Sequence, residues 1–276
     1  QSRDRSFTGS GKNRFSQADV TTRPRLHPGF LPGLLLLLWV GTVSAEMAET
    51  IQRIKPSIVV VGTYKKTDSP QFAMRGTGFV IASGNLIATN AHVVPDSSDP
   101  DAPVLVIQAR NGSGETQLRR AHVVKKDREH DLAVLRIDGP ALPPLKLRNS
   151  ESVREGQLVG FTGFPIGGAL GFSPVTHRGM VSSITPIALP AANARQVNEK
   201  LVRQLKSGAF NIFQLDATAY PGNSGSPVFD ASSGEVIGII NMVFIKGSKE
   251  AALSQPSGIA YAIPANYLKE LLVKSP

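Results

Sequence analysis

The sequence predicts an all-β fold: two six-stranded antiparallel β-barrels followed by a C-terminal helix. Short runs rich in Val and Ile recur along the chain, separated by Gly, Pro, Asn and Asp, which is the pattern of strands joined by tight turns. The runs form two groups of six, divided by a proline-containing polar connector at 139–157. Pro264 then introduces a last amphipathic stretch, read as a helix over 265–273.

Taken in order, residues 1–29 are polar and basic and show no helix or strand period. The run Leu34 to Val40 comes next, and Val43-Ser44-Ala45 ends it. A basic segment, a short apolar core and a small-x-small ending describe a secretory signal peptide, with cleavage after Ala45. The uncharged stretch is short for a membrane span, which needs about 20 residues. A retained membrane anchor or tether over residues 30–45 is the runner-up, and a buried core helix is the third reading. Residues 46–54 read as a short helix. The domain then divides into a first barrel at about 56–150 and a second at about 151–263, so that 46–276 is one domain behind a 1–45 leader.

The first strand group is 57–63, 78–81, 86–89, 104–108, 122–126 and 132–137, with Asn111-Gly112 as a hairpin signal and 96–103 as a loop. The second group is 158–162, 176–183, 212–216, 227–229, 236–243 and 258–263. Between its second and third members, Val197, Leu201 and Leu205 recur every four residues among Arg195, Lys200, Arg203 and Lys206. That spacing predicts an amphipathic helix at 191–207 with a basic face, either capping the barrel or serving regulation or a membrane surface.

A chain of 276 residues can bury a sizeable core. It has no cysteine, so disulfides, thiolate metal sites and a thiol nucleophile are all excluded. The formal net charge is +9; residues 1–45 hold six Lys/Arg and two Asp/Glu, leaving 24 basic and 19 acidic residues for the rest. That mild excess, with no basic stripe interleaved with aromatics, argues against nucleic-acid binding. The five histidines show no metal-ligand spacing, and no cofactor is expected.

The chemistry centres on Tyr220-Pro221-Gly222-Asn223-Ser224-Gly225-Ser226-Pro227. A nucleophilic serine needs a tight turn, small neighbours and free amides aimed at a developing oxyanion. The amides of Gly222 and Ser224 are the natural oxyanion pair. Alone, this segment reads first as an ordinary hairpin turn, since Gly, Asn and Ser are common turn residues. Thr89-Asn90-Ala91-His92-Val93-Val94 and His130-Asp131-Leu132-Ala133-Val134-Leu135 tip the balance, because His, then Asp, then Ser is the chain order of chymotrypsin-class hydrolases. Ser224 is therefore the candidate nucleophile, His92 the base, and Asp131 the group that orients the imidazole. His122 reads as structural or exposed, and His130 as facing away from Asp131 across a strand. His177 falls near a loop that could modulate the site.

These segments, with Gly76-Thr77-Gly78-Phe79-Val80-Ile81, Gly234-Glu235-Val236-Ile237-Gly238 and Tyr261-Ala262-Ile263-Pro264, resemble the trypsin-like serine peptidases, and within them the HtrA/Deg family. The motifs run in family order over 57–273. The resemblance implies a chymotrypsin/trypsin-like fold and an exported, periplasmic or extracellular serine endopeptidase acting on polypeptide substrates in protein quality control or processing. It implies a first specificity pocket walled by Thr218, Ala219 and Tyr220 on one side and Ile240, Asn241 and Met242 on the other. With no acid there, and Ile240 where glutamyl endopeptidases carry histidine, a small or medium apolar residue is expected before the cut. Trypsin-like zymogens carry aspartate where this chain has Asn223, so no activating cleavage near residue 57 is expected. No PDZ-like segment follows the last helix, which departs from the family layout. Relatives are often trimers, leaving an oligomer possible. The alternatives are a catalytically silent or ligand-gated binding module on the same scaffold and a membrane-tethered processing protease.

Overall fold

A computed structural model describes residues 40–96, 99, 101–110, 114–168, 171–186, 210–241 and 258–274. The 111–112 hairpin pair, the helix expected at 191–207, Met242 and the leader through residue 39 lie outside the described residues.

The strands are β1 (Ile58–Tyr64), β2 (Phe72–Ile81), β3 (Leu86–Asn90), β4 (Val104–Arg110), β5 (Thr116–Asp127) and β6 (Leu132–Ile137), then β7 (Leu158–Gly163), β8 (Val175–Pro186), β9 (Asn211–Asp216), β10 (Pro227–Asp230), β11 (Val236–Ile240) and β12 (Ile259–Pro264). Helix α1 (Val40–Ile54) precedes them and α2 (Ala265–Val273) comes after them. Each set of six closes on itself. The first runs β1-β2-β3-β6-β5-β4, and β7 to β12 repeat that order. Closure comes from Val60 opposite Gln108 in one barrel and Val228 opposite Phe161 in the other, so every strand has two partners and no sheet edge is left open.

The side-chain period of two explains why β1, the end of β2 and most of β6 are rich in buried apolar residues on both faces. Val59 and Val61 point inward with Val80, Ile87, Ile107 and Leu135 to fill the first barrel. Ile58 and Val60 point the other way, joining Phe79, Ile81, Leu132 and Val134 in a second layer. That layer also contains Phe229, Val236, Ile239 and Ile263 from the second barrel and Leu268 and Leu271 from α2. It is the seam between barrels. A third cluster, built on Phe161, Phe213, Leu215, Val228 and Ile237, fills the second barrel.

Several strands are longer than their apolar signal. β2 starts at Phe72 rather than 78, and β5 at Thr116 rather than 122. The start of β5 is polar and exposed, and it is a strand because its backbone pairs with β4, Gln108 opposite Leu118. β11 stops at Ile240 instead of reaching 243, and the helix expected at 46–54 begins at Val40.

Truncating Phe213, 2% exposed in the second-barrel core, should lower stability by about 3–5 kcal/mol through lost burial and the cavity left behind. Urea unfolding of Phe213→Ala beside the parent measures it.

Candidate active site

Asn90 ends β3, and Ala91–Val93 form a single 3-10 turn that lifts His92 to the surface. Asp131 sits just before β6 with φ +54°, a left-handed conformation that aspartate tolerates better than most residues. The two turns are tied through backbone: Ala91 N and Asn90 Nδ2 donate to the Asp131 carbonyl at 3.0 and 3.1 Å. The Asp131 carboxylate is then fully directed. Its Oδ1 accepts the His92 amide at 2.9 Å, and its Oδ2 accepts His92 Nδ1 at 2.6 Å. A carboxylate can only accept, so the proton of the neutral imidazole lies on Nδ1 and the lone pair on Nε2. Asn241, placed just past β11 in the other barrel, donates its Nδ2 to the same Oδ2 at 2.8 Å.

The serine turn rests on Pro221-Gly222. Pro at the second position, Gly222 at the third with φ +101°, and Asn223 N donating to Tyr220 O at 3.0 Å are the signature of a type II turn. Every carbonyl of the turn is occupied: Pro221 O accepts Ile166 N at 2.7 Å, and Gly222 O accepts Thr77 Oγ1 at 2.8 Å. Neither the Gly222 nor the Ser224 amide makes a hydrogen bond among the described residues. Ser224 itself is 6% exposed, and its carbonyl accepts Thr77 N at 2.8 Å. Gly225 must be glycine: its φ is +87°, and a Cβ would lie 2.1 Å from the Thr77 carbonyl. Gly76 is the meeting point of the two halves. A Cβ there would come within 2.7 Å of Val93 Cγ2 and 2.9 Å of the Ser224 carbonyl. The residue after His92 and the backbone of Ser224 therefore pack against one position.

The other expected residues are less uniform. Thr218 and Tyr220 are half-buried and Ala219 is buried, on the approach to the turn. Ile240 and Asn241, expected to wall the first pocket, are both fully buried. Ile240 packs inside the second barrel and Asn241 is committed to Asp131. His130 is not turned away by strand alternation, because it and Asp131 precede β6. Its ring bonds Asp127 Oδ2 at 2.7 Å and stacks on Tyr267 of α2 with centroids 4.3 Å apart. Burial pushes the Asp127 carboxyl up, but its bonds from the His130 ring and amide outweigh this and hold it below the usual range. His122 is exposed, 3.9 Å from Asp138. His177 stacks on Phe161 at 4.8 Å and tilts toward Tyr220 at 6.0 Å, and burial lowers its pKa. No cluster of metal-ligating side chains occurs among the described residues.

Thr77 stands in the Gly76–Ile81 motif with no role of its own in the sequence pattern, and neither Ile166 nor the bond made by Asn241 is foreshadowed there. A threonine between two glycines in an apolar strand was a usable sign of a buried polar task. Nothing in the sequence marks Ile166, a β-branched residue held at φ +60°.

Residues 76–239 match the family model for a trypsin-like peptidase domain. The chain is 32% identical over 206 residues to a mitochondrial serine protease HTRA2 of Drosophila pseudoobscura pseudoobscura, covering 75% of this chain and 40% of that protein. It is also 32% identical over 189 residues to a protein of Pseudomonas fluorescens described as a "probable periplasmic serine endoprotease DegP-like", covering 68% of this chain and 32% of that one. The chain thus spans about 40% or less of the length of these curated relatives. Among solved structures, the HtrA-type protease AlgW with a tripeptide superposes with a TM-score of 0.58 at 27% identity, covering 82% of this chain and 62% of that one.

Asn223 is fully buried, and neither atom of its side-chain amide has a partner among the described residues. A carboxylate at this position would be buried with no hydrogen-bond partner among the described residues. Asn223→Asp should therefore cost several kcal/mol of stability at neutral pH through an unpaired buried charge. Urea unfolding at pH 7 measures the loss, and an unchanged midpoint would contradict it.

Proposed function

This chain belongs to the trypsin-like serine peptidases, in their HtrA-like group, and on that premise we propose that it cleaves peptide bonds through an acyl-enzyme on Ser224. His92 Nε2 takes the Ser224 hydroxyl proton as Oγ attacks the carbonyl carbon. The negative charge that develops on the carbonyl oxygen is received by the Gly222 and Ser224 amides. The imidazolium then returns its proton to the leaving amine, and water repeats the sequence to release the acid. Asp131 holds the imidazole in the tautomer that can do this and stabilises its charged form. The observation that carries the reading is the double use of Asp131 Oδ2, bonded to His92 Nδ1 at 2.6 Å and to Asn241 Nδ2 at 2.8 Å, beside a serine turn whose Gly222 and Ser224 amides make no hydrogen bond among the described residues.

The substrate is an unfolded or extended polypeptide, which supplies a backbone that a cleft between barrels can hold. A small or medium apolar residue precedes the cut, since Thr218, Ala219 and Tyr220 offer no charge to pair with. No cofactor takes part. Export is favoured by the basic leader with its apolar run and by the DegP-like relatives described as periplasmic. The mitochondrial relatives favour an organellar destination instead, and sequencing the mature N-terminus separates the two.

Turnover of a denatured protein substrate should fall to background in Ser224→Ala and His92→Ala. In Asp131→Asn it should fall by on the order of 10⁴-fold, the loss a wrongly held imidazole brings. Equal turnover by Ser224→Ala would remove the mechanism. A peptide-library digest should be dominated by small and medium apolar residues before the cut, and cleavage chiefly after Arg, Lys or Glu would refute that specificity.

A further inference from the structure

We propose that the Thr77 hydroxyl is a positioning group for the oxyanion turn, holding the Gly222 amide in the orientation that can receive negative charge. The inference rests on the assignment of this chain as a serine peptidase. Thr77 belongs to the first barrel, on β2, and is fully buried. It makes four contacts in the seam. Its amide donates to Ser224 O at 2.8 Å, its carbonyl accepts Thr89 Oγ1 at 2.7 Å, its hydroxyl donates to Gly222 O at 2.8 Å, and the same hydroxyl accepts Phe164 N at 3.1 Å. The backbone contacts would survive in any residue. Only a hydroxyl can donate to Gly222 and accept from Phe164 at once.

The Phe164 bond matters because it anchors the segment that carries Ile166. Ile166 sits at φ +60°, a costly conformation for a β-branched side chain, and donates its amide to Pro221 O at 2.7 Å. In a trans peptide the carbonyl and the following N–H point in opposite directions. Pinning Pro221 O toward Ile166 therefore turns the Gly222 N–H away from that segment. A type II turn can relax to type I by rotating this one peptide, which would withdraw the Gly222 amide. Two bonds oppose the rotation: Ile166 to Pro221 holds the peptide itself, and Thr77 to Gly222 holds its successor. Through Phe164, Thr77 also steadies the first of these. One side chain thus governs both restraints, and it does so from the opposite barrel.

Thr77→Val keeps nearly the same volume and removes the hydroxyl, while Thr77→Ser keeps the hydroxyl. For a peptide substrate, Thr77→Val should lower kcat by about 10- to 100-fold, less than the full loss of an oxyanion donor, with KM within about twofold of the parent. Thr77→Ser should restore most of kcat. A kcat for Thr77→Val equal to the parent's would overturn the inference, as would equal losses in the two variants, because the hydroxyl would then not be the cause. Amide hydrogen exchange gives a readout independent of turnover. The Phe164 amide should exchange faster in Thr77→Val than in Thr77→Ser or the parent, and unchanged exchange would overturn the inference. Absent turnover by the parent would instead count against the peptidase assignment, with the exchange result still deciding the role of Thr77.

Discussion

The Thr77 amide donates to the Ser224 carbonyl across the junction of two closed barrels, and the geometry of the site depends on that junction being fixed. Closed barrels satisfy their own backbone groups, so nothing in either sheet forces the two to meet in one arrangement. The arrangement comes from the layer between them. Outward-facing residues of β1, β2 and β6 interdigitate with Phe229, Val236, Ile239 and Ile263 and with α2. Close packing makes such a layer resistant to sliding. Polar bonds buried beside it add direction, since each is costly to break once water is excluded.

Two of those bonds cross the seam in opposite senses. Asn241 reaches from the second barrel to the Asp131 carboxylate of the first. Thr77 reaches from the first barrel to the Gly222 carbonyl of the second. One acts on the carboxylate bonded to His92, the other on the turn that carries Ser224. The His92–Asp131 pair and the Ser224 turn are thus each braced by the barrel that does not carry them. Gly76 and Gly225 give the room for this: at Gly225 a Cβ would strike the Thr77 carbonyl, and at Gly76 it would strike Val93 and Ser224 together.

Both barrels were legible in the sequence because strands such as β1, β6 and β11 bury both faces and so read as Val/Ile/Leu-rich runs between turn residues. The pairing of His92 with Asp131 was legible from two short motifs and appears as a 2.6 Å bond, and the tight turn before Ser224 was legible from Pro221-Gly222. What escaped was whatever depends on contacts between distant segments. Ile240 and Asn241 are neighbours at the end of an apolar strand, and only the fold shows one side chain in the barrel core and the other on Asp131. The polar start of β5 gives no strand signal, since its pairing partner rather than its side chains makes it a strand. The strained Ile166 leaves no mark in composition, because its amide meets the Pro221 carbonyl far along the chain, a contact only the fold creates.

The central claim is that Ser224 is an activated nucleophile whose oxyanion turn is formed without cleavage of the chain. Intact-mass measurement of the unclipped protein after a fluorophosphonate probe, beside Ser224→Ala, tests it most directly. The account predicts one adduct on the parent and none on Ser224→Ala. Adducts on both proteins, or on neither, would contradict it.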